Sequence, residues 1–296
     1  MRGFVTTIKI GAFLLVIGVL AALVLFLPDY LEEFQEPTVL KKEDLEKLVE
    51  EGEDIGFEAG QYEFNQALEL IALGEIDQAR ERLHLIENLY PESTHAKEAR
   101  RILGEINLDE ILSVENMDNK RIHRVSPGEG YLRIANDNQT TLDAIMFLNG
   151  LTDFKALHTG DELVVMPLDF KLVVDLSMKR VELYHRDQRK KEHIFARDYP
   201  ILGINLDRMS QGVYHTTVSR KMGETADGSV PPSHRTYRHA SKVLGIKAGR
   251  RTIQLCPITE QREDGGLKGV FLAASDMEEL SMLIRIGNEV EFRIAG

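Results

Sequence analysis

Hydrophobic residues follow four distinct patterns along this chain, and the first is an unbroken apolar run near the N-terminus. The segment Ile10–Leu27 contains 18 residues without a charged side chain. A helix of this length reaches about 27 Å, which is close to the thickness of the hydrocarbon core of a bilayer. The pattern therefore predicts a transmembrane helix over residues 10–27, with a cleaved signal peptide as the alternative.

The charges on either side of this run predict its orientation. Arg2 and Lys9 precede it, whereas Asp29 and Glu32 follow it. Because Lys and Arg favour the cytoplasmic side, residues 1–9 are expected in the cytoplasm and the body of the chain on the extracytoplasmic side. We therefore expect a single-pass protein of the cell (inner) membrane whose body lies in the periplasm if the source is a bacterium.

The second pattern covers residues 41–107, where apolar residues recur every three to four positions and predict amphipathic helices. One helix pair resembles a tetratricopeptide repeat at its small, bulky and helix-ending positions, namely Ala67, Gly74, Ile76, Ala79, Leu83, Ile86 and Pro91. The resemblance implies stacked helices whose groove, over residues 60–107, binds a protein partner. A helical spacer without a partner is the alternative.

The third pattern covers residues 121–167 and predicts a strand, two short helices and a second strand. Residues 122–125 alternate as a strand, and Thr140 is placed to cap the second helix. Asn149-Gly150 supplies the left-handed residue that ends this helix, and Pro167 closes the last strand. The segment is therefore expected to form a small, independent α+β module.

This order of elements resembles the LysM domain, a module that binds glycans containing N-acetylglucosamine. The resemblance rests on Val125, Gly128, Ile134, Ala135, Leu142, Asn149, Gly150, Leu151, Gly160, Leu163 and Pro167. It implies a groove between two loops, formed by Gly128, Glu129, Gly130, Tyr131, Gly150, Leu151, Thr152 and Asp153. Backbone groups exposed at glycines can bond acetamido groups, and an apolar rim can hold the methyl.

The first of these loops departs from the pattern of the family. Glu129 and Gly130 stand where LysM domains usually have Asp followed by Ser or Thr. Gly130 therefore removes a hydroxyl group that would cap the first helix. A module that acts only as a spacer is the alternative to glycan binding.

The fourth pattern, over residues 170–296, is rich in alternating strands. The predicted strands are Leu172–Ser177, Val181–Tyr184, Ile194–Tyr199, Val213–Ser219, Arg251–Cys256 and Glu289–Ile294. One helix is predicted over Asp276–Leu283, with Ser275 as its N-cap. This segment is expected to form a mostly-β domain.

Several segments of this domain resemble the catalytic domain of L,D-transpeptidases. They are Val174–Ser177, Val181–Tyr184, Gly212–Tyr214, Asp276–Leu280 and Ile286–Val290. The family cross-links the stem peptides of peptidoglycan through a cysteine acyl-enzyme. That chemistry requires a thiolate, a histidine that accepts its proton, and N–H groups that face the oxyanion.

The motif that supplies this chemistry in the family, Ser-His-Gly-Cys-x-Arg, is missing here. Counting back from Asp276 places Leu267 at its His, Gly269 at its nucleophile and Phe271 at its Arg. A register shifted by one residue places Val270 at the nucleophile, and neither register yields a thiol. Cys256 stands where the family has an earlier His. No catalytic residue is therefore expected, and a relocated nucleophile at Cys256 is the alternative.

Composition narrows the possible partners. The chain has a net charge of −12, and residues 29–119 hold 25 Asp and Glu against 8 Lys and Arg. Such an acidic segment argues against nucleic acid as a partner. Cys256 is the only cysteine, so no disulfide can form within the chain. The spacing of His234 and His239 defines no third ligand, so neither a metal nor a cofactor is expected.

Together these patterns predict a multidomain α+β protein with one transmembrane helix, tetratricopeptide-like helical hairpins, a LysM module and a mostly-β L,D-transpeptidase-like domain. Its predicted function is that of a membrane-anchored bacterial cell-envelope protein that binds peptidoglycan through residues 121–167, beside an inactive transferase fold. Two alternatives stay open. One is an active L,D-transpeptidase that uses Cys256, and the other is an assembly scaffold that binds a protein through residues 60–107.

Overall fold

A computed structural model describes residues 59–154, 156–187, 191–207, 210–248, 251–258 and 268–294. The predicted cytoplasmic segment 1–9, the predicted membrane helix 10–27 and the first part of the predicted helical region, 41–58, lie outside these ranges. Within them, none of the helices combines the length and the hydropathy that a membrane span requires. The prediction for residues 10–27 therefore stays a prediction.

Three helices open the described part of the chain: α1 (Gln61–Leu73), α2 (Ile76–Leu89) and α3 (Thr94–Leu112). Gly74 ends α1 in the left-handed conformation, with φ +81°, and the Glu75 N–H bonds to the Leu70 carbonyl. The Ser93 hydroxyl caps α3 by accepting a hydrogen bond from the Ala96 N–H at 3.1 Å. These signals set the helix boundaries locally.

The helices bury most of the predicted apolar stripe. Their shared core consists of Ala67, Leu83, Ile86, Ala96, Ala99, Ile102 and Leu103. Ile76 departs from the prediction because it is 38% exposed at the start of α2. Residues 72–78 are all exposed and burial in α2 begins at Ala79, so the apolar period of the sequence starts before the buried surface does.

A small α+β module follows, made of β1 (Arg121–Arg124), α4 (Tyr131–Asp137), α5 (Leu142–Leu148) and β2 (Glu162–Val165). Strands β1 and β2 pair antiparallel. The predicted cap of α5 was wrong by one residue: Thr141, not Thr140, accepts a hydrogen bond from the Ala144 N–H at 3.0 Å. The hydroxyl of Thr141 also donates to the Met282 carbonyl at 2.6 Å, which ties the module to the next part of the chain.

The described residues from Phe170 onwards contain one sheet of ten strands. Its strands are β3 (Phe170–Asp175), β4 (Arg180–Arg186), β5 (His193–Pro200), β6 (Gly203–Asn205), β7 (Gly212–Thr225), β8 (Gly228–Val230), β9 (Ser241–Ala248), β10 (Arg251–Pro257), β11 (Gly269–Leu272) and β12 (Glu289–Ile294). The order across the sheet is β5-β4-β3-β12-β7-β9-β10-β11-β6, and β8 pairs with β7. The pairs β3–β12 and β10–β11 are parallel. The mixed α+β class is thus confirmed.

Two local predictions for this domain require correction. Helix α6 spans Ala274–Leu283 and its N-cap is Ala273, not Ser275, with no side-chain cap. Strands β6, β8, β9 and β11 were not predicted. The buried residues of β9 and β11 are consecutive, as expected for strands covered on both faces, and β6 and β8 have only three residues each.

Both preceding segments pack against this sheet. Leu108 and Leu112 of α3 belong to its main hydrophobic core, as do Ala144 and Leu148 of α5. Gly104 lets α3 approach β5 closely, since a Cβ atom there would lie 3.2 Å from Cα of Arg197. The described residues from 59 onwards accordingly form one compact unit, and the face of α3 that meets the sheet is covered by the chain itself.

A buried ionic network joins α3 to the sheet. The Arg100 guanidinium bonds to Glu182 at 2.8 Å, lies 3.3 Å from Asp198, contacts Glu87, and sits 4.1 Å from the centroid of the Phe195 ring. Burial raises the pKa of Asp198, although the charge of Arg100 opposes this shift. A buried carboxylate without a counter-charge is costly, so the contact depends on this arginine.

We therefore predict that Arg100→Leu lowers the free energy of unfolding by about 3 kcal/mol, because it leaves Glu182 and Asp198 buried with less compensation. The control is Arg101→Leu on the same helix, whose arginine is half-exposed and bonds only to Glu98 and Glu105. That change should cost less than about 1 kcal/mol. Urea unfolding followed by circular dichroism measures both, and equal losses would contradict the assigned role of Arg100.

Candidate functional sites

The two loops that the sequence singled out have the backbone geometry of glycine turns. Gly128 and Gly150 adopt φ values of +78° and +59°, in the left-handed region that glycine favours. A Cβ atom added at Gly128, Gly130 or Gly150 would meet no atom within 4 Å. All three glycines are exposed to solvent, although the Gly150 N–H donates to the Phe147 carbonyl at 3.1 Å and the Gly130 carbonyl accepts from the Ile134 N–H at 3.0 Å.

Aromatic contact brings these loops together. The rings of Tyr131 and Phe154 have centroids 4.9 Å apart, at an angle of 52° between the ring planes. Tyr131 and Leu151 also pack against the small core of the module, whereas Phe154 is 48% exposed. An apolar surface thus connects the two glycine turns. The exposed Thr152 and Asp153 stand at its edge.

Asn149 fixes the second loop to the sheet of the module. Its amide donates to the Val164 carbonyl at 2.8 Å and to the Ile145 carbonyl at 2.7 Å. Its side-chain oxygen accepts a hydrogen bond from the Val164 N–H at 2.8 Å. The side chain therefore replaces a strand neighbour at this point, which explains why an amide suits the position before Gly150.

Glu129 closes the first loop on itself. Its carboxylate accepts a hydrogen bond from the Ser126 N–H at 2.7 Å and contacts the Nε2 atom of His123 at 3.0 Å. These two contacts lower the pKa of Glu129, with the Ser126 N–H contributing most. Next to it, Gly130 begins α4 with an extended backbone and no side-chain cap, as the sequence predicted.

The sequence did not identify one residue that contacts the second loop. Arg238, from the short 3₁₀ helix Tyr237–His239, donates to the Thr152 carbonyl and lies 3.2 Å from the Asp153 carboxylate. It comes from the sheet domain, 85 residues along the chain from Asp153, and no local motif marks it. The candidate site is therefore composite: the module supplies the loops, and the larger domain supplies a cation at their edge.

The positions aligned with the missing catalytic motif lie in an apolar part of the sheet. Cys256 is the penultimate residue of β10 and pairs with Phe271 of the parallel strand β11. Cys256 and Phe271 pack with Val243 and Ile258 in one hydrophobic cluster. Leu267 lies outside the described residues. Cys256, Gly269 and Phe271, which the sequence aligned with catalytic positions of the family, thus lie close together. Their side chains do not supply the groups that acyl transfer needs.

The thiol of Cys256 is fully buried. It donates a long hydrogen bond of 3.9 Å to the Val270 carbonyl. A side chain at Gly269 has no room, because its Cβ atom would lie 2.7 Å from the Gln254 carbonyl and 3.2 Å from the Cys256 sulfur. A reactive cysteine needs solvent access and an electropositive setting. Cys256 occupies an apolar, enclosed position instead.

Metal-ligating side chains are not clustered in the described ranges, where no group of three or more His, Cys, Asp and Glu is arranged to hold an ion. His234, from the proline-rich loop, bonds through Nδ1 to the Thr236 hydroxyl at 2.7 Å. This local contact positions the imidazole within its own turn.

Comparison with known proteins returns similarity at the level of structure. No protein-family model matches the chain. No curated protein matches it either.

Twelve solved chains match it in structure. One is Bd1075 of Bdellovibrio bacteriovorus, with 12% sequence identity, coverage of 43% of this chain and 48% of that one, and a TM-score of 0.31. Another is an L,D-transpeptidase of Stackebrandtia nassauensis, with 13% identity, coverage of 52% and 65%, and a TM-score of 0.28. A third is L,D-transpeptidase 1 of Mycobacterium tuberculosis, with 8% identity, coverage of 48% and 70%, and a TM-score of 0.27.

The present chain spans about half the length of the Bdellovibrio protein. All of these TM-scores lie below 0.5, so the function proposed below rests on the residues of the chain itself. Among the structural neighbours of this mixed α+β chain are L,D-transpeptidases, at low sequence identity.

Proposed function

We propose that this chain is a membrane-anchored cell-envelope protein that binds the glycan of peptidoglycan through residues 121–167. The contact of Tyr131 with Phe154, which sets two open glycine turns side by side, carries this proposal. The ligand is a chain that contains N-acetylglucosamine, as the resemblance to LysM domains implies. The same proposal assigns the sheet domain no transfer activity.

The geometry of the two loops suits an acetamido sugar. Gly128 offers an N–H and a carbonyl group to an amide, which needs one donor and one acceptor, whereas Gly150 offers its carbonyl because its N–H donates to the Phe147 carbonyl at 3.1 Å. The exposed face of Phe154 offers an apolar surface for the acetyl methyl group or for the C–H face of a sugar ring. Each element of the ligand thus has a complementary group in the site.

Arg238 and Asp153 add polar groups at the edge of this surface. Their ion pair lies among exposed side chains, so it contributes little to stability but presents donors and acceptors to sugar hydroxyls. Because Arg238 belongs to the sheet domain, docking of the module completes the site. Binding would accordingly depend on the contact between the two parts of the chain.

The surroundings of Cys256 support the second part of the proposal, that the sheet domain is inactive. The buried Cys256 thiol lies next to Gly269, which has no side chain to act as a nucleophile and no space for one. Acyl transfer needs a thiolate that a substrate can reach. The surroundings of Cys256 therefore favour a structural role over catalysis.

Anchoring is proposed from the sequence alone. The apolar segment 10–27 would hold the chain in the cell membrane, with residues 1–9 in the cytoplasm and residues 59–296 outside it. That side of the membrane is where peptidoglycan lies. The proposed location and the proposed ligand are thus consistent with each other.

We predict that Gly130→Trp weakens glycan binding, because the open space at Gly130 in the first loop admits an indole ring that would obstruct the ligand. Gly130 has φ −122°, a conformation that any residue adopts, so the backbone need not change. The measurement is sedimentation of the detergent-solubilised full chain with purified sacculi, followed by competition with a soluble N-acetylglucosamine oligosaccharide. We expect the apparent affinity to fall at least about tenfold.

Two matched variants control this experiment. Gly130→Ser adds only a capping hydroxyl and should keep binding, with a change in stability of a few tenths of a kcal/mol. Asp137→Trp places the same bulky ring at the other end of α4, where it should leave binding intact. If Gly130→Trp and Asp137→Trp bind sacculi as the parent does, the groove is not the glycan site.

We also predict that Cys256 forms no adduct with a carbapenem in the folded protein, because its thiol is enclosed. Intact-mass spectrometry of the full chain measures this directly. The control is iodoacetamide, which should add one group only after unfolding in urea, since Cys256 is the only cysteine. A carbapenem adduct on the folded chain would establish a reactive thiol and overturn the inactive assignment.

A further inference from the structure

A cavity of about 300 Å³ lies where the α+β module docks on the sheet domain. Its walls come from α4 and α5 on one side, and from Lys221 of β7 and the turn after α6 on the other. The cavity extends along α4 from Leu132 to Asn136 and on to Thr140, but none of the residues of the proposed glycan groove, Gly128–Tyr131 and Gly150–Asp153, belongs to its lining. It is therefore a separate site, and the proposed glycan function makes no use of it.

Thr140 leaves an unpaired polar atom in the wall of this cavity. The residue is 6% exposed, and its hydroxyl oxygen has no hydrogen-bond partner among the described residues. Its neighbour Thr141 caps α5, so Thr140 has no role in the helix end. A buried hydroxyl without a partner is unfavourable, and natural proteins usually satisfy such groups.

Lys221 supplies a buried positive charge to the same cavity. It is 5% exposed, and its ammonium donates to the carbonyls of Ser281 and Ile284. An ammonium has three N–H donors, so these two bonds leave one for a ligand. Burial lowers the pKa of Lys221 to about 8, and the nearby carboxylate of Asp143 acts in the opposite direction.

A second cation and an apolar surface complete the cavity. The Nε atom of Arg285 donates to the Leu168 carbonyl at 3.3 Å, which holds the guanidinium against the wall. Leu132 and Ile286 are 48% and 57% exposed and line the same space. The ionisable side chains of the lining are thus Lys221, Arg285 and Asp143, an excess of one positive charge.

From this arrangement we propose that the cavity binds a small carboxylate ligand that carries an apolar side chain. Lys221 and Arg285 would bond the carboxylate, and the Thr140 hydroxyl would donate a further hydrogen bond to it. Leu132 and Ile286 would contact the apolar side chain. The volume suits one amino acid or the C-terminal residue of a peptide, both of which carry this chemistry.

The test is isothermal titration of the full chain with three probes: N-acetyl-leucine, its neutral analogue N-acetyl-leucinamide, and free leucine. We expect N-acetyl-leucine or leucine to bind with a Kd of about 1 mM or tighter, and the neutral amide to bind at least about tenfold more weakly. Tighter binding of leucine identifies a free amino acid as the ligand, because Asp143 can pair with its ammonium. Tighter binding of N-acetyl-leucine identifies a peptide C-terminus.

Two pairs of variants locate the site. Lys221→Met should weaken the binding at least about tenfold, whereas Lys242→Met should not. Lys242 is an equally buried lysine that bonds to the Arg238 and Ala240 carbonyls and is absent from the cavity wall. Hydrogen exchange in the parent should slow on ligand addition at residues 139–143 and 284–287.

Thr140→Val keeps the test decisive where a lysine variant fails to fold. It removes an unpaired hydroxyl, so the midpoint of urea unfolding should stay or rise while carboxylate binding weakens. Thr141→Val, which removes two hydrogen bonds, should lower that midpoint. Absence of binding by both carboxylate probes, or binding unaffected by Thr140→Val and Lys221→Met, would overturn the proposal.

Discussion

Helix α3 takes part in two hydrophobic cores, and this sharing sets the positions of the elements around it. Its first half packs with α1 and α2 through residues such as Leu103, and its last turns enter the core of the sheet through Leu108 and Leu112. Close contact is possible because Gly104 presents no side chain to Arg197. Arg100 then neutralises carboxylates that this contact buries. The helical segment is thus part of the folded body, and one face of α3 is covered by the sheet.

The α+β module likewise contributes residues to two hydrophobic cores. Helix α5 faces the module's own core through Ile145 and the core of the sheet through Ala144 and Leu148. Docking brings Arg238 to the edge of the candidate glycan groove and encloses the cavity around Lys221. Both candidate binding sites therefore include residues from two parts of the chain. Deleting the module would expose the sheet core, which is why point substitutions are the sharper tests.

The transferase-like centre has a different physical character. Catalytic groups are polar, and burying them requires partners that satisfy them. Here Cys256, Val243 and Phe271 form an apolar cluster, and Gly269 permits strands β10 and β11 to pair without a side chain between them. The arrangement favours close packing of the sheet over access to a thiol.

The sequence by itself determined the elements whose signals are local. Gly74 ends one helix and Ser93 begins another, and glycine permits the turns at Gly128 and Gly150. The alternation of apolar and polar residues predicted most of the strands. The sequence also identified the missing motif, because the spacing to α6 placed Gly269 where a nucleophile would stand. The sequence did not predict strand β9, whose buried residues are consecutive, and it did not identify which of two adjacent threonines caps α5. Both features depend on neighbours that are distant in the chain.

Only the tertiary structure decided how these elements combine. Arg238 reaches Thr152 across 86 residues, and Lys221 meets the Ser281 carbonyl across 60. No period or motif encodes such contacts, because they follow from the docking of complementary surfaces rather than from the local conformation of the backbone. The sequence thus predicted the glycine loops of the candidate site, while packing supplied the charged groups beside them and the separate cavity between the module and the sheet.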